Sequence, residues 1–265
     1  MTFEATGVSV SYGKRTILHG VDFRAEAGQF TMIVGPNGSG KTTLLRALTG
    51  DLAFGGVVRI NGRDLARLTP AAMAALRGVL QQDTALAFPF TVAEVVGLGL
   101  SASAHGLTSA GARSARISEA LEAVDLAGFA GRLCQELSGG ERQRVQLARV
   151  LCQIWEPLAD GEPHWLVLDE PVSSLDIRHQ LTIMEIARSY AQRGGGVIAV
   201  MHDLNLTAMY GDHVAFLSEG RIVASGHPGA VISNRLLNDV YGCALRINKA
   251  PPGGLFVLPQ SAHPQ

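Results

Sequence analysis

The segment FTMIVGPNGSGKTTLLRALTG occupies residues 30–50, and its centre, GPNGSGKT at 35–42, decides how the rest of the chain is read. FTMIV is a continuous apolar run, which suits a strand buried on both faces. TTLLRALTG (42–50) has helical spacing and a glycine stop. Between them the pattern G-x-x-x-x-G-K-[ST] is complete and sits in the strand–turn–helix context that gives it meaning. Gly35, Gly38 and Gly40 let the backbone curl so that its N–H groups face phosphate oxygens. The helix N-terminus adds partial positive charge. Lys41 supplies a compact point charge for the β- and γ-phosphates, a role that arginine's planar fork fills poorly. Of 22 basic residues only Lys14, Lys41 and Lys249 are lysines, so this placement stands out. Thr42 can offer its hydroxyl to Mg²⁺. The segment reads as a nucleotide site.

Carboxylates to complete such a site stand in LVLDE (166–170). An apolar strand ending in Asp169 can hold a Mg²⁺ shell, and Glu170 beside it can orient or deprotonate a water. Further along, LSGGERQR (137–144) places Ser138 and Glu141 as an S-x-x-E capping box ahead of an amphipathic helix.

Around these motifs, VSVSY (8–12) and ILHGVDF (17–23) alternate as half-buried antiparallel strands, and VVRING (57–62) reads as a short strand and turn. From about residue 91 the texture becomes helical: Ile117, Ala120, Leu121 and Val124 share one face, and Val145, Ala148 and Leu151 another. Strand-like runs return at WLVLD (165–169), GVIAVM (196–201) and HVAFL (213–217), with helical segments between them. The alternation predicts an α/β fold with a mostly parallel sheet. PPGG (251–254) reads as a turn before a last short strand.

A formal net charge of −1 provides no field to recruit nucleic acid or anionic lipid, so no nucleic-acid partner is expected. No apolar run approaches the roughly 18–20 residues a membrane span needs, and the N-terminus has no signal-peptide pattern. Cys134, Cys152 and Cys243 lack metal-ligand spacing and read as reduced, buried thiols.

Taken together and in order, these motifs resemble the ATP-binding subunit of an ABC transporter, from about residue 3 to residue 245. The resemblance implies a P-loop NTPase core with a mostly parallel sheet, an antiparallel β-subdomain and a helical insert. It implies one domain over 1–265, with 1–90 and 156–265 as the nucleotide-binding core and 91–155 as the helical subdomain. Tyr12 resembles the aromatic that stacks on adenine. Gly35, Pro36, Asn37, Gly38, Ser39, Gly40, Lys41, Thr42 and the adjacent Thr43 correspond to the ATP cradle. Gln82, in preference to its neighbour Gln81, resembles the glutamine that joins the Mg²⁺ and water site to the membrane partner, so Thr42, Gln82 and Asp169 are the implied metal ligands. Ser138, Gly139 and Gly140 resemble the signature that meets ATP on a second copy, and Asp176 in SSLD the loop crossing the dimer interface. Glu170, His202 and Gln82 are the implied catalytic group. Val172 stands where the family usually has threonine.

The cofactors so implied are ATP and Mg²⁺. The implied partners are a second copy of the chain, two copies of a membrane permease and a periplasmic substrate-binding protein, with the chain peripheral at the cytoplasmic face of the bacterial inner membrane. LAFPFTVAEVV (86–96) fits a groove receiving a permease helix. That segment and MHDLNLTAMY resemble importers of iron-siderophores, cobalamin (vitamin B12) and hemin. LARVLCQIWEPLADGEPHWLVLDEP looks most like the hemin group, with its longer link between two tryptophans. Soluble ABC ATPases generally carry two cassettes or a long coiled coil, and a GTPase would need an N-K-x-D motif, which NKAP (248–251) does not satisfy.

Overall fold

A computed structural model describes residues 1–82, 88–102, 109–250 and 252–262. Two long strands, β1 (Thr2–Tyr12) and β2 (Arg15–Glu26), lead into β3 (Phe30–Val34) and helix α1 (Lys41–Leu48). Strands β4 (Gly55–Ile60) and β5 (Arg63–Asp64), helix α2 (Pro70–Leu76) and strand β6 (Arg77–Leu80) follow. Helices α3 (Val92–Ala102), α4 (Ala110–Ala123) and α5 (Gly139–Gln153) come next. A minimal hairpin, β7 (Leu158–Ala159) with β8 (Glu162–Pro163), precedes β9 (Trp165–Asp169). The chain then runs through α6 (Ile177–Gln192), β10 (Gly196–Val200), α7 (Leu204–Tyr210), β11 (His213–Ser218) and β12 (Arg221–Gly226). It continues through α8 (Pro228–Val231) and α9 (Asn234–Tyr241).

The main sheet has the order β12-β11-β3-β10-β9-β6, parallel except for the edge strand β12. A second, antiparallel sheet has the order β2-β1-β4-β5. The continuous apolar runs of the sequence have a direct cause in this arrangement. Successive side chains of a strand point to opposite faces, and each face of the main sheet has its own core. Met32, Leu166, Leu168, Ala199 and Phe216 join the core built with α5 and α6. Ile33, Trp165, Val167, Ile198 and Ala215 join the core shared with α1 and the antiparallel sheet. With both faces covered, these strands are almost wholly apolar; Thr31 of β3 is an exception, fully buried with a hydroxyl that has no hydrogen-bond partner.

The two tryptophans that flank WEPLADGEPHW lie in different cores. Trp165 is fully buried, donates from its indole Nε1 to Asn61 Oδ1 at 3.0 Å, and meets Phe3 edge-on with ring centroids 5.3 Å apart. Trp155 is half-buried against the other core, under the Arg116 guanidinium at 4.4 Å. Between them Asp160 and Gly161 both have positive φ (52° and 77°), which closes the two-residue hairpin.

Two expectations change. Residues Leu255–Leu258 form no last strand; they are exposed and pair with no strand of either sheet. Gln260 instead reaches the Asn205 carbonyl at 3.4 Å. Cys134 and Cys152 are buried, but Cys243 is exposed, beyond the end of α9. In LAFPFT, Leu86 and Ala87 lie outside the described residues.

Gly196 faces the Trp165 ring so closely that an added Cβ would lie 2.3 Å from it. Gly196→Ala is therefore expected to destabilise the fold by about 1–3 kcal/mol through overpacking. The check is the denaturation midpoint, together with a red shift of Trp165 emission as its pocket loosens.

Candidate nucleotide site

The phosphate loop follows β3 and turns into α1. Lys41 is buried, and its Nζ donates to the carbonyls of Gly35 (2.9 Å) and Pro36 (3.1 Å), which folds the side chain back over the loop. Burial holds its ammonium below the ordinary lysine value, while Glu170 and Asp169 pull the other way. Gly40 caps α1 in the left-handed region (φ 104°) with no side-chain cap, so the first helical N–H groups have no side-chain acceptor. Ser39 Oγ is buried without a hydrogen-bond partner. A buried orphan hydroxyl beside a basic side chain and open helix N–H groups is the donor set an anionic phosphate chain satisfies. Asn37 and Gly38 are exposed at the loop's tip, and Thr42 and Thr43 are half-buried in the first turn of α1.

The remaining groups arrive on neighbouring strand ends. Asp169 closes β9, Glu170 follows it, Gln82 lies two residues past β6, and His202 two past β10. Thr42 Oγ1 donates to Asp169 Oδ1 at 3.4 Å, joining the two halves of the site. Burial, and then the adjacent Glu170 charge, push the Asp169 carboxyl up to about 6. A buried carboxylate beside a hydroxyl and a second carboxylate is the setting a hard divalent cation relieves by neutralising charge. Thr42 and Asp169 therefore fit Mg²⁺ chemically.

Glu170 is held at both oxygens. Gln82 Nε2 donates to Oε2 at 3.0 Å, and His202 Nε2 contacts Oε1. An ionised carboxylate only accepts, so the proton in that second contact belongs on His202 Nε2. Gln81, the neighbour of Gln82, points elsewhere, to Asp51 at 3.4 Å. The backbone of Glu170 is in the left-handed region, φ 50°, which is rare for a residue with a side chain. Its N–H donates to Val200 O of β10, and its carbonyl accepts from Ser173 Oγ and from Gln143 Nε2, each at 3.2 Å.

Other candidate residues do not join this cluster in the single chain. Tyr12 is 49% exposed, at the end of β1. Ser138 and Gly139 are exposed at the start of α5, with Gly140 half-buried behind them. There Ser138 Oγ accepts from Glu141 N at 3.3 Å, and Glu141 Oε2 accepts from Ser138 N at 2.7 Å, so the capping box is formed. Those bonds hold the Glu141 carboxyl below the usual range. Asp176 caps α6, accepting from His179 N at 3.0 Å. Gln143 and Ser174 are missed by the sequence reading: a glutamine one turn into an amphipathic helix looks like a solvated residue, and its partner carbonyl is 27 positions away.

A family model described as ABC transporter matches residues 18–173. The chain belongs to the ABC transporter family, and this phosphate loop and carboxylate pair make it an ATP-binding ATPase of that family. At nearly full length it is similar to hemin import ATP-binding proteins. That of Jannaschia sp. (strain CCS1) is 57% identical over 256 residues, covering 96% of this chain and 93% of the relative. That of Rhizobium meliloti (strain 1021) is 57% identical over 260 residues, covering 97% and 98%. Among solved structures, a dimeric bacterial ABC transporter cassette superposes with TM-score 0.76 at 27% identity, covering 85% of this chain and 98% of that one. A bacterial Atm1-family ABC exporter with ATP bound gives TM-score 0.73 at 28% identity, covering 90% and 40%.

Gly35 has φ 153°, and an added Cβ would lie 2.0 Å from the Leu217 carbonyl oxygen. Gly35→Ala is expected to displace the phosphate loop, costing about 1–3 kcal/mol of stability and weakening ATP binding by ~10-fold or more. Calorimetric titration with ATP alongside a denaturation curve checks both effects.

Proposed function

We propose that this chain is the ATP-hydrolysing subunit that powers hemin import across the bacterial inner membrane, acting as a peripheral protein on the cytoplasmic face. The observation that carries the reading is the near-full-length similarity to hemin import ATP-binding proteins. None of the described helices is long and apolar enough to cross a membrane, so this reading places the transport path in separate permease subunits. Two permeases and a periplasmic substrate-binding protein complete the assembly. A groove of about 470 Å³ lined by Gln81, Arg77, Leu98, Arg149 and Gln153 supports docking of a permease segment, and Phe88, 67% exposed, stands on the chain entering α3. In this division, residues 91–155 act as the signature-bearing helical subdomain, and 1–90 with 156–265 as the core.

Two copies close head to tail as an isologous C2 dimer with two ATP molecules between them. Tyr12 stacks on adenine, and residues 35–43 wrap the phosphates. Ser138, Gly139 and Gly140 meet the γ-phosphate of the ATP held by the other copy. The capping box uses the Ser138 hydroxyl as an acceptor, which leaves its proton free to donate to phosphate. Asp176 lies in the loop that crosses between copies. ATP favours the closed state, and hydrolysis removes that preference.

In the chemical step Glu170 accepts a proton from the attacking water, held in place by Gln82 on one oxygen and His202 on the other. His202 also steadies the γ-phosphate, and Lys41 exchanges its two carbonyl partners for phosphate oxygens. Thr42 and Asp169, with Gln82 beside them, would hold Mg²⁺, which would neutralise charge on the β- and γ-phosphates when bound.

Glu170→Gln is expected to bind ATP with an affinity close to that of the unmodified chain but to hydrolyse it at least ~100-fold more slowly; turnover near the unmodified rate would remove Glu170 from the catalytic role. The cargo is tested in proteoliposomes containing this chain and its permease, with ATPase stimulation measured by binding proteins loaded with hemin, a ferric siderophore or cobalamin. Stimulation by hemin alone supports the reading, and stimulation by either of the others reassigns the cargo.

A further inference from the structure

The carbonyl of Glu170 is where the signature helix touches the catalytic turn. Glu170 adopts a left-handed backbone, φ 50°, which is unfavourable for a residue bearing a Cβ, and its carbonyl accepts from three donors. Ser173 provides two of them, N–H at 3.3 Å and Oγ at 3.2 Å, both from the same turn. The third comes from another element: Gln143 Nε2 on α5, at 3.2 Å. The other end of the same amide, Oε1, accepts from Ser174 Oγ at 2.6 Å. A carbonyl oxygen can only accept, so the NH₂ end must face Glu170 and the oxygen end must face Ser174; the amide orientation is fixed by chemistry. Ser174 belongs to the SSLD loop, and an added Cβ on Gly140 would lie 3.4 Å from the Ser174 carbonyl and 3.0 Å from Leu175. Gln143 itself lies five residues beyond Ser138 in the helix whose N-terminus carries the signature.

We propose that Gln143 is a positioning residue for ATP hydrolysis: its amide joins the signature helix and the Ser174 loop to the strained Glu170 backbone, so that both aim the carboxylate. The inference rests on the reading of Glu170 as the acid–base group. Within one chain the signature faces the partner's nucleotide while Glu170 serves the chain's own. One side chain, half-buried and fixed at both ends, thus runs from the element that meets one ATP to the residue that hydrolyses the other. Strain at Glu170 gives this contact its leverage. A left-handed backbone persists only when its surroundings over-determine it, and removing one of three carbonyl donors lets the turn relax and the carboxylate swing from Gln82 and His202.

The discriminating variant is Gln143→Glu. It keeps the size and the acceptor for Ser174 Oγ, but replaces the donor to the Glu170 carbonyl with a carboxylate oxygen. In the full-length protein its kcat is expected to fall ~10-fold or more with the KM for ATP within about 2-fold of the unmodified value. Ser174→Ala should lower kcat less, by about 2–5-fold. The double variant should be no slower than Gln143→Glu alone, because both act through one amide. Gln143→Met, neutral and of similar length, serves if the glutamate variant folds poorly and should show the same split. Glu170→Gln, measured in parallel, separates the two layers. If it hydrolyses ATP normally, the reading of Glu170 itself fails. If it is blocked while Gln143→Glu and Gln143→Met keep the unmodified kcat, only the positioning role fails. A loss of kcat matched by an equal loss of ATP affinity, or additive losses in the double variant, would also overturn the positioning role.

Discussion

Everything at this site depends on parallel register between strands buried on both faces. In β10, Val200 is level with Asp169 of β9 and Ile33 of β3, and Leu80 of β6 is level with Leu168 of β9. Four neighbouring strands therefore end along one line. The phosphate loop, Glu170, His202 and Gln82 emerge within one or two residues of those ends. Crevices beyond the carboxyl ends of such strands are where α/β sheets bind ligands. The chemistry needs a base, a lysine and phosphate-facing N–H groups in one volume. A register fixed by two cores delivers all of them without any loop having to find its own place.

Rigidity in the sheet contrasts with strain at its edge. The strands are inflexible because each side chain is committed to one core or the other, and a shift of one residue would exchange the two sets. Glu170 lies immediately past that rigid region with an unfavourable backbone, and contacts from β10, the SSLD loop and α5 hold it. The Glu170 backbone is thus set by three separate parts of the chain. In such an arrangement a residue's position can respond to events elsewhere in the chain.

The WEPLADGEPHW stretch shows how one short segment can serve packing alone. Its hairpin touches no group of the phosphate site. Trp165 anchors β9 in one core, and Trp155, under Arg116, closes the end of α5 against the other. A loop fixed at both ends this way carries the chain from α5 to β9. In the sequence the stretch resembles hemin importers, and in the fold it spaces α5 from β9.

Much of this protein was legible in sequence because its constraints are local. Glycines that must curl, a lysine that must be compact, an apolar run that must be a doubly buried strand and a serine–glutamate capping box each follow from residues within about one turn of each other. The same local reading failed for the strand expected after PPGG and for Cys243, where the outcome depends on which element happens to lie alongside. It could not separate Gln82 from Gln81 by physics, since adjacent glutamines differ only in direction; the fold sends one to Glu170 and the other to Asp51. Gln143 had no signal at all. A glutamine on a helix is ordinary until the tertiary structure sets a strained carbonyl 3.2 Å from its amide. Sequence determined the kinds of group present, because residue chemistry and short spacings are local. Only tertiary packing decided which of them meet, because hydrogen bonds between distant segments exist once two cores have locked the strands in register.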